Sequence, residues 1–271
     1  MSRPTITLTT DFGQADGYVA AVKGVILGLC PQARIVDVSH DIPPQAVRQA
    51  AYVLATITPY FSPGTIHLVV VDPDVGSERR EIAVQTERAM FVAPDNGVLS
   101  LALAAEAVRM AVHLHRPDPG TTSATFHGRD VFAPAAAQLA CGAGLRTMGD
   151  EVAADSLLTL AGLVPEKLAD GSWLGQVLHV DRFGNLITTF KLAGPGGDQA
   201  APGLAPGTRG VIRIGRQSGI RLRRTYGEAR PGELLAYVGS SGYLEIAVRD
   251  GSAAARLGIG PGEPVVVQAL T

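Results

Sequence analysis

The stretch V-V-V-D-P-D-V-G-S-E-R-R, residues 69–80, decides how this chain is read. An unbroken apolar run ends at a carboxylate, Asp72. A loop containing Pro and Gly follows, and two arginines, Arg79 and Arg80, close it. Apolar runs of this kind belong to strands buried on both faces, as in parallel sheets flanked by helices. In open α/β sheets, ligands gather just past the carboxyl ends of such strands. An acid and a guanidinium delivered together at that place are either a structural ion pair on a loop or part of a site.

The surrounding sequence supports the sheet. Residues 6–10, 35–38 and 66–71 read as strands. Residues 17–29, with Val19, Val22, Ile26 and Leu29 at helical spacing, and residues 46–57 read as the helices between them. Pro31 stops the first helix. Residues 82–85 and 90–93 read as an antiparallel pair, and residues 99–108 and 131–141 as helices, the last with Asp130 as N-cap. Repeated strand–helix units predict a mainly parallel sheet with right-handed crossovers. The pattern then changes. Residues 163–172 read as a linker, and beyond them short strand-like segments follow one another between turn residues, the mark of an antiparallel barrel or sandwich. The chain therefore divides into an α/β domain at 1–162 and an all-β domain at 173–271. Residues 193–207, rich in Gly and Pro, read as an exposed loop.

Composition excludes several classes. A net charge of −2 gives no electrostatic case for nucleic acid or an anionic membrane. Two cysteines, Cys30 and Cys141, make neither a disulfide framework nor a metal pattern. No apolar segment approaches the ~20 residues that span a bilayer, and the first residues lead directly into a strand rather than a signal peptide. The expectation is a soluble cytoplasmic protein.

Polar residues concentrate at strand ends. In T-T-D-F-G-Q-A-D-G-Y, Asp11 follows the first strand, where a carboxylate can accept both hydrogen bonds of a ribose diol. Asp16 is also placed to cap the helix that begins at Gly17. P-D-N-G-V-L-S, residues 94–100, reads foremost as a loop capping the next helix. F-H-G-R-D-V-F, residues 126–132, puts His127 before a helix N-terminus, whose positive end disfavours imidazolium. A neutral His beside a carboxylate is a plausible acceptor for a water proton. His40, His67, His113, His115 and His179 read as structural. In the second domain, V-D-R-F-G-N-L presents Asp181, Phe183 and Asn185: an acid for an amino group, a ring for a base, an amide for its edge. A tight turn is the alternative. Ser240, in G-S-S-G, can bind a carboxylate or simply form a turn.

In order and spacing, T-D-F-G-x-x-D, D-P-x-V-G-x-x-R, F-H-G-R-D and D-R-F-G-N together resemble the S-adenosyl-L-methionine hydrolase (adenosyl hydroxide transferase) family, relatives of the fluorinating and chlorinating enzymes. The resemblance runs almost end to end. It implies an N-terminal α/β, Rossmann-like domain, a C-terminal β-barrel, and a homotrimer whose substrate lies between one subunit's first domain and its neighbour's second. It places Asp11 on the ribose hydroxyls, Asp16 and Asp181 near the methionine amine, Ser240 near its carboxylate, and Phe183 and Asn185 on the adenine side. Asp72, Arg79 and His127 match the family's water-activating trio. Two positions depart from the family. Asp74 stands where Gly is usual: if the position needs a positive φ, Asp adopts it at a cost, and an extra carboxylate near the site can shift the trio's proton affinities. Gln45 stands where relatives often carry an aromatic ring.

The expected reaction is attack of an activated water at C5′ of S-adenosylmethionine, giving adenosine and methionine. The leaving group is a neutral thioether, so no general acid, metal or cofactor is required. Asp72 and His127 both remain candidates for taking the water proton, and Arg79 cannot be the base. A halogenase is the alternative within the class, although a carboxylate at position 72 opposes halide. A non-catalytic S-adenosylmethionine- or adenosine-binding protein is the alternative outside it, and a metal-dependent hydrolase a third.

Overall fold

The computed structural model describes residues 3–116, 120, 122–192 and 210–269. The expected loop at 193–207 lies outside them. Two compact units emerge, Met1–Leu160 and Ala161–Thr271. No helix among the described residues is long and apolar enough to cross a membrane.

The first unit is a layered α/β structure. It runs β1 (Thr5–Thr10), α1 (Tyr18–Leu29), β2 (Arg34–Ser39), α2 (Val47–Ile57), β3 (Thr65–Val70), β4 (Glu81–Thr86), β5 (Ala89–Pro94), α3 (Ser100–Leu103), β6 (Val108–Leu114), a π-helical turn (Gly128–Phe132), α4 (Ala133–Ala140) and β7 (Gly149–Val152). The sheet order is β2-β1-β3-β5-β4-β6-β7. The β1–β2, β1–β3 and β3–β5 pairings are parallel, and those of β4 with β5 and β6, and of β6 with β7, are antiparallel. The sheet is thus mixed, with its parallel strands on one side. Strand β1 is followed by a crossover to β2 on one flank and the chain then returns to β3 on the other. That reversal opens a crevice at the carboxyl ends of β1 and β3.

Alternation along β3 explains its uniform burial. Ile66, Leu68 and Val70 pack with Val22 and Ile26 of α1 and Ala133 and Ala136 of α4. Val69 and Val71 pack with Ala50 and Leu54 of α2 and with Leu99 and Ala102. Both faces are covered, so an apolar residue is favoured at every position.

Several local expectations change. Residues 99–108 form not one helix but the single turn α3, followed by strand β6. The Ala-rich segment has helical propensity, yet pairing of β6 with β4 and β7 outweighs it. Asp16 does not cap α1, whose N-cap Gly17 carries no side-chain bond. Asp130 is not an N-cap either. It lies inside the π-helical turn, accepts from the Ser123 amide at 2.8 Å and pairs with Arg129.

The second unit is antiparallel: β8 (Glu166–Lys167), β9 (Trp173–Val180), β10 (Leu186–Lys191), β11 (Gly210–Ile214), β12 (Gln217–Ile220), β13 (Leu234–Val238), β14 (Tyr243–Val248), helix α5 (Ala253–Leu257) and β15 (Pro264–Ala269). The order is β12-β11-β15-β9-β10-β14-β13, with β8 on β9. Just after β12, Arg223 donates its amide to the Ala236 carbonyl on β13, and the Ala236 amide donates to Arg221. These bonds nearly close the sheet into the expected barrel around Val177, Leu186, Phe190, Ile212, Leu244 and Val265.

Candidate active site

Register places Thr10 opposite Val70, so the chain leaves β1 at Asp11 beside the exit of β3 at Val71 and Asp72. The exit of β3 is pinned by the loop after β5: Asn96 Nδ2 donates to the Val71 carbonyl at 2.9 Å. Asp95 of the same loop is buried, accepts from Arg80 Nε at 2.8 Å and from the Leu158 amide at 2.9 Å. This loop was expected to cap a helix. Instead it fixes the strand that carries Asp72, while α3 has no side-chain cap.

Arg79 returns over that strand end and holds Asp72 in a two-pronged grip. Its Nε donates to Oδ1 at 2.8 Å and its Nη2 to Oδ2. Its Nη1 donates to Glu81 Oε1 at 2.7 Å, and its Nη2 lies 3.0 Å from His127 Nδ1. The guanidinium also covers the Phe132 ring, 5.3 Å from its centroid. The three residues picked from the sequence, Asp72, Arg79 and His127, therefore converge.

The sequence reading missed a fourth member of the cluster. Glu81 opens β4 with a side chain that is 0% exposed. Besides Arg79 it accepts from Arg116 Nε at 3.1 and 3.0 Å, and its Oε1 lies 3.1 Å from His127 Nδ1. Asp72, Arg79, Glu81 and Arg116 alternate in sign and sum to zero, a condition under which charges tolerate burial. Burial pushes the Glu81 carboxyl up, but its bonds to Arg116 and the charge of Arg79 outweigh that and hold it below its ordinary value. For His127, burial first and Arg79 second drive the pKa below the ordinary value, so the imidazole is neutral at physiological pH. Its Nδ1 meets a donor, Arg79, and an acceptor, Glu81. When Nδ1–H faces Glu81, Nε2 is left as a proton acceptor.

The loop that carries His127 is seated on the β1 exit. Phe126 packs against Tyr18 at 5.3 Å and Phe12 at 5.9 Å between ring centroids. A Cβ at Gly128 would come within 3.1 Å of the Phe12 ring, so glycine allows this approach. Asp11 is partly buried, and its Oδ2 accepts from the Gln45 amide at 2.8 Å. Gln45 adopts φ 66° to deliver that amide. Asp74 is not a positive-φ residue, so it carries no such cost. The left-handed residue of this loop is Gly76, at φ 84°. Asp16 is exposed.

In the second unit, Asp181 Oδ1 accepts from the Phe183 and Asn185 amides at 2.9 and 2.8 Å, so it builds the turn. Its Oδ2 accepts from Asn185 Nδ2 at 2.7 Å. The Phe183 ring is 77% exposed while Asn185 is buried. Both line a cleft of about 650 Å³ with Tyr226, Arg249 and Asp250, the last at φ 58°. An exposed ring and a buried amide lining one cleft suit a flat heteroaromatic base. Ser240 is exposed in the turn between β13 and β14.

Family models match this chain twice: the SAM hydroxide adenosyltransferase N-terminal domain over residues 6–149 and the corresponding C-terminal domain over residues 175–266. A protein of Salinispora tropica named (R)-S-adenosyl-L-methionine hydrolase is 45% identical, covering 98% of each chain. One of the same name from Thermus thermophilus is 42% identical, covering 97% of this chain and 98% of that one. A fluorinase of Nocardia brasiliensis is 27% identical over 90% of each. A crystal structure of an uncharacterised conserved protein from Thermotoga maritima matches with a TM-score of 0.85 and 34% identity, covering 97% of this chain and 99% of that one.

Proposed function

The chain belongs to the SAM hydroxide adenosyltransferase family, and from that premise we propose that it hydrolyses (R)-S-adenosyl-L-methionine to adenosine and L-methionine. The observation that carries the reading is the convergence of Asp72, Glu81 and His127 on Arg79 at the carboxyl end of β3. Water attacks C5′ as the C5′–S bond breaks, and the bonding pair leaves on a sulfur that becomes a neutral thioether. Asp72 and Arg79 orient the water. His127 takes its proton at Nε2, with Glu81 holding Nδ1–H. Both Asp72 oxygens already accept from Arg79, which favours His127 as the base. Hydroxide-like oxygen meeting a sulfonium cancels charge, so a site closed to water speeds the step. Holding water in line contributes several kcal/mol more.

On this reading Asp11 binds the ribose diol, Phe183 and Asn185 hold adenine, and Asp16, Asp181 and Ser240 bind the methionine end. The protein acts in the cytoplasm as a homotrimer, each site shared between neighbours, with no metal or cofactor, because the leaving group needs no activation. Halogenation is the weaker reading. The fluorinases stand at 26–27% identity against 42–45% for the hydrolases matched over nearly the whole chain, and Asp72 puts a negative charge where a halide would sit. Purified protein with (R)-S-adenosylmethionine and chelator should release adenosine and methionine in equal amounts, and His127→Ala should abolish release. No turnover by the intact protein, or full activity in His127→Ala, would refute the proposal.

A further inference from the structure

Beneath the cleft in the second unit, a chain of hydrogen bonds ends on a buried carboxyl. Asn185 Nδ2 donates to Tyr226 Oη at 3.1 Å. Tyr226 and Tyr237 share a hydroxyl–hydroxyl bond, and Tyr237 donates to Glu245 Oε2. The side chain of Glu245 is packed against the turn after β13, where a Cβ at Gly239 would fall 1.8 Å from Oε1; glycine is needed there for the carboxyl to fit.

Burial pushes the Glu245 carboxyl up, and its Oε2 is the acceptor for the Tyr237 hydroxyl. With Glu245 at the end, Tyr237 donates to it, Tyr226 donates to Tyr237, and the Tyr226 oxygen is left to accept from Asn185. Asp181 Oδ2 takes the second proton of the same Nδ2 at 2.7 Å. Both amide protons are then committed within the protein, and the atom that Asn185 has left for the cleft is Oδ1, an acceptor.

We propose that Tyr226, through Tyr237 and Glu245, is a positioning residue that locks the Asn185 amide with its oxygen toward the cleft and so selects a 6-amino purine over a 6-oxo purine. This rests on the adenine placement proposed above. An exocyclic amino group donates to Oδ1, whereas a 6-oxo group sets two lone-pair-bearing oxygens against each other, and a buried polar atom without a partner is penalised. Tyr226 supplies direction, and Phe183 supplies the stacking surface that any purine would use.

The test compares adenosine with inosine binding by calorimetry, and turnover of S-adenosylmethionine with its 6-oxo analogue, in the intact protein and in Tyr226→Phe and Tyr237→Phe. The intact protein should prefer the 6-amino member in both measurements. Tyr226→Phe frees one amide proton, and the preference should fall about tenfold, mainly through tighter binding and lower KM for the 6-oxo member. Tyr237→Phe should move the ratio the same way without touching the cleft. An unchanged ratio with equal losses on both substrates would mean a structural role and overturn the proposal, as would an intact protein that binds both nucleosides equally. Failure of the intact protein to turn over S-adenosylmethionine while it still prefers adenosine would refute the hydrolase reading and leave this inference standing.

Discussion

Replacing Glu81 by Gln keeps the shape of the buried side chain and removes its charge. The carboxylate now meets two guanidiniums and two imidazoles: Arg79 Nη1 at 2.7 Å, Arg116 Nε at 3.0 Å, His127 Nδ1 at 3.1 Å and His113 Nε2 at 3.7 Å. Breaking a buried pair by removing one partner costs roughly 3–5 kcal/mol. Here Arg79 keeps Asp72, and Arg116, 41% exposed, regains water, so about 2–3 kcal/mol remains. Urea unfolding at pH 7 with linear extrapolation measures it. The acid response should change as well. The folded carboxyl titrates below the ordinary 4.5, so its contribution is fully present above that pH and is lost as pH falls through the folded pKa. Glu81→Gln should therefore lose less stability than the parent as pH falls from 4.5 through the folded pKa. Turnover should drop roughly 10³-fold, because Arg79 then dominates at Nδ1 and drives the proton to Nε2, the wrong tautomer for a base. A variant within 0.5 kcal/mol of the parent that retains its turnover would refute this reasoning.

Two further perturbations reach the site from its supports. Asn96→Ala removes the Nδ2 bond to the Val71 carbonyl and should reduce kcat about tenfold while costing about 1–2 kcal/mol of stability, read by steady-state kinetics and thermal melts. His67, buried between β1 and β5 and bonded to Thr7 Oγ1 at 2.8 Å, has its pKa pushed down to about 4 by burial. The unfolded chain thus binds this proton first. The stability His67 contributes is present above about pH 6.5 and is lost as pH falls toward 4, by up to about 3 kcal/mol at 1.4 kcal/mol per pH unit. His67→Gln should flatten that part of the stability–pH curve in pH-dependent urea titrations.

How far the sequence could be read follows from which contacts are local. The apolar run into Asp72 announces a doubly covered strand, because both faces of β3 meet helices. Asp72, Arg79 and His127 are legible because they sit in loops with distinctive neighbours. Glu81 is not, since its meaning depends on Arg116, 35 residues away. The pairing of Ile82 with His113 brings Arg116 near, and that pairing is invisible when 99–108 reads as a helix. An acid opening the apolar alternation E-I-A-V-Q-T, directly after two arginines, was the available signal. Asp16 and Asp130 mislead in the other direction: both have cap-forming side chains, but Gly17 begins α1 and Asp130 is taken up by Ser123 and Arg129. The departure at Asp74 proves harmless to the backbone, whereas Gln45 carries the positive φ that sets Asp11.

The central claim, that a water held by Asp72, Arg79 and His127 attacks C5′, is tested most directly by turnover of (R)-S-adenosyl-L-methionine in ¹⁸O-enriched water with mass analysis of both products. Attack at C5′ predicts one solvent oxygen in the 5′-hydroxyl of adenosine and none in methionine. Adenosine that lacks the label, or label carried into another product, would contradict it.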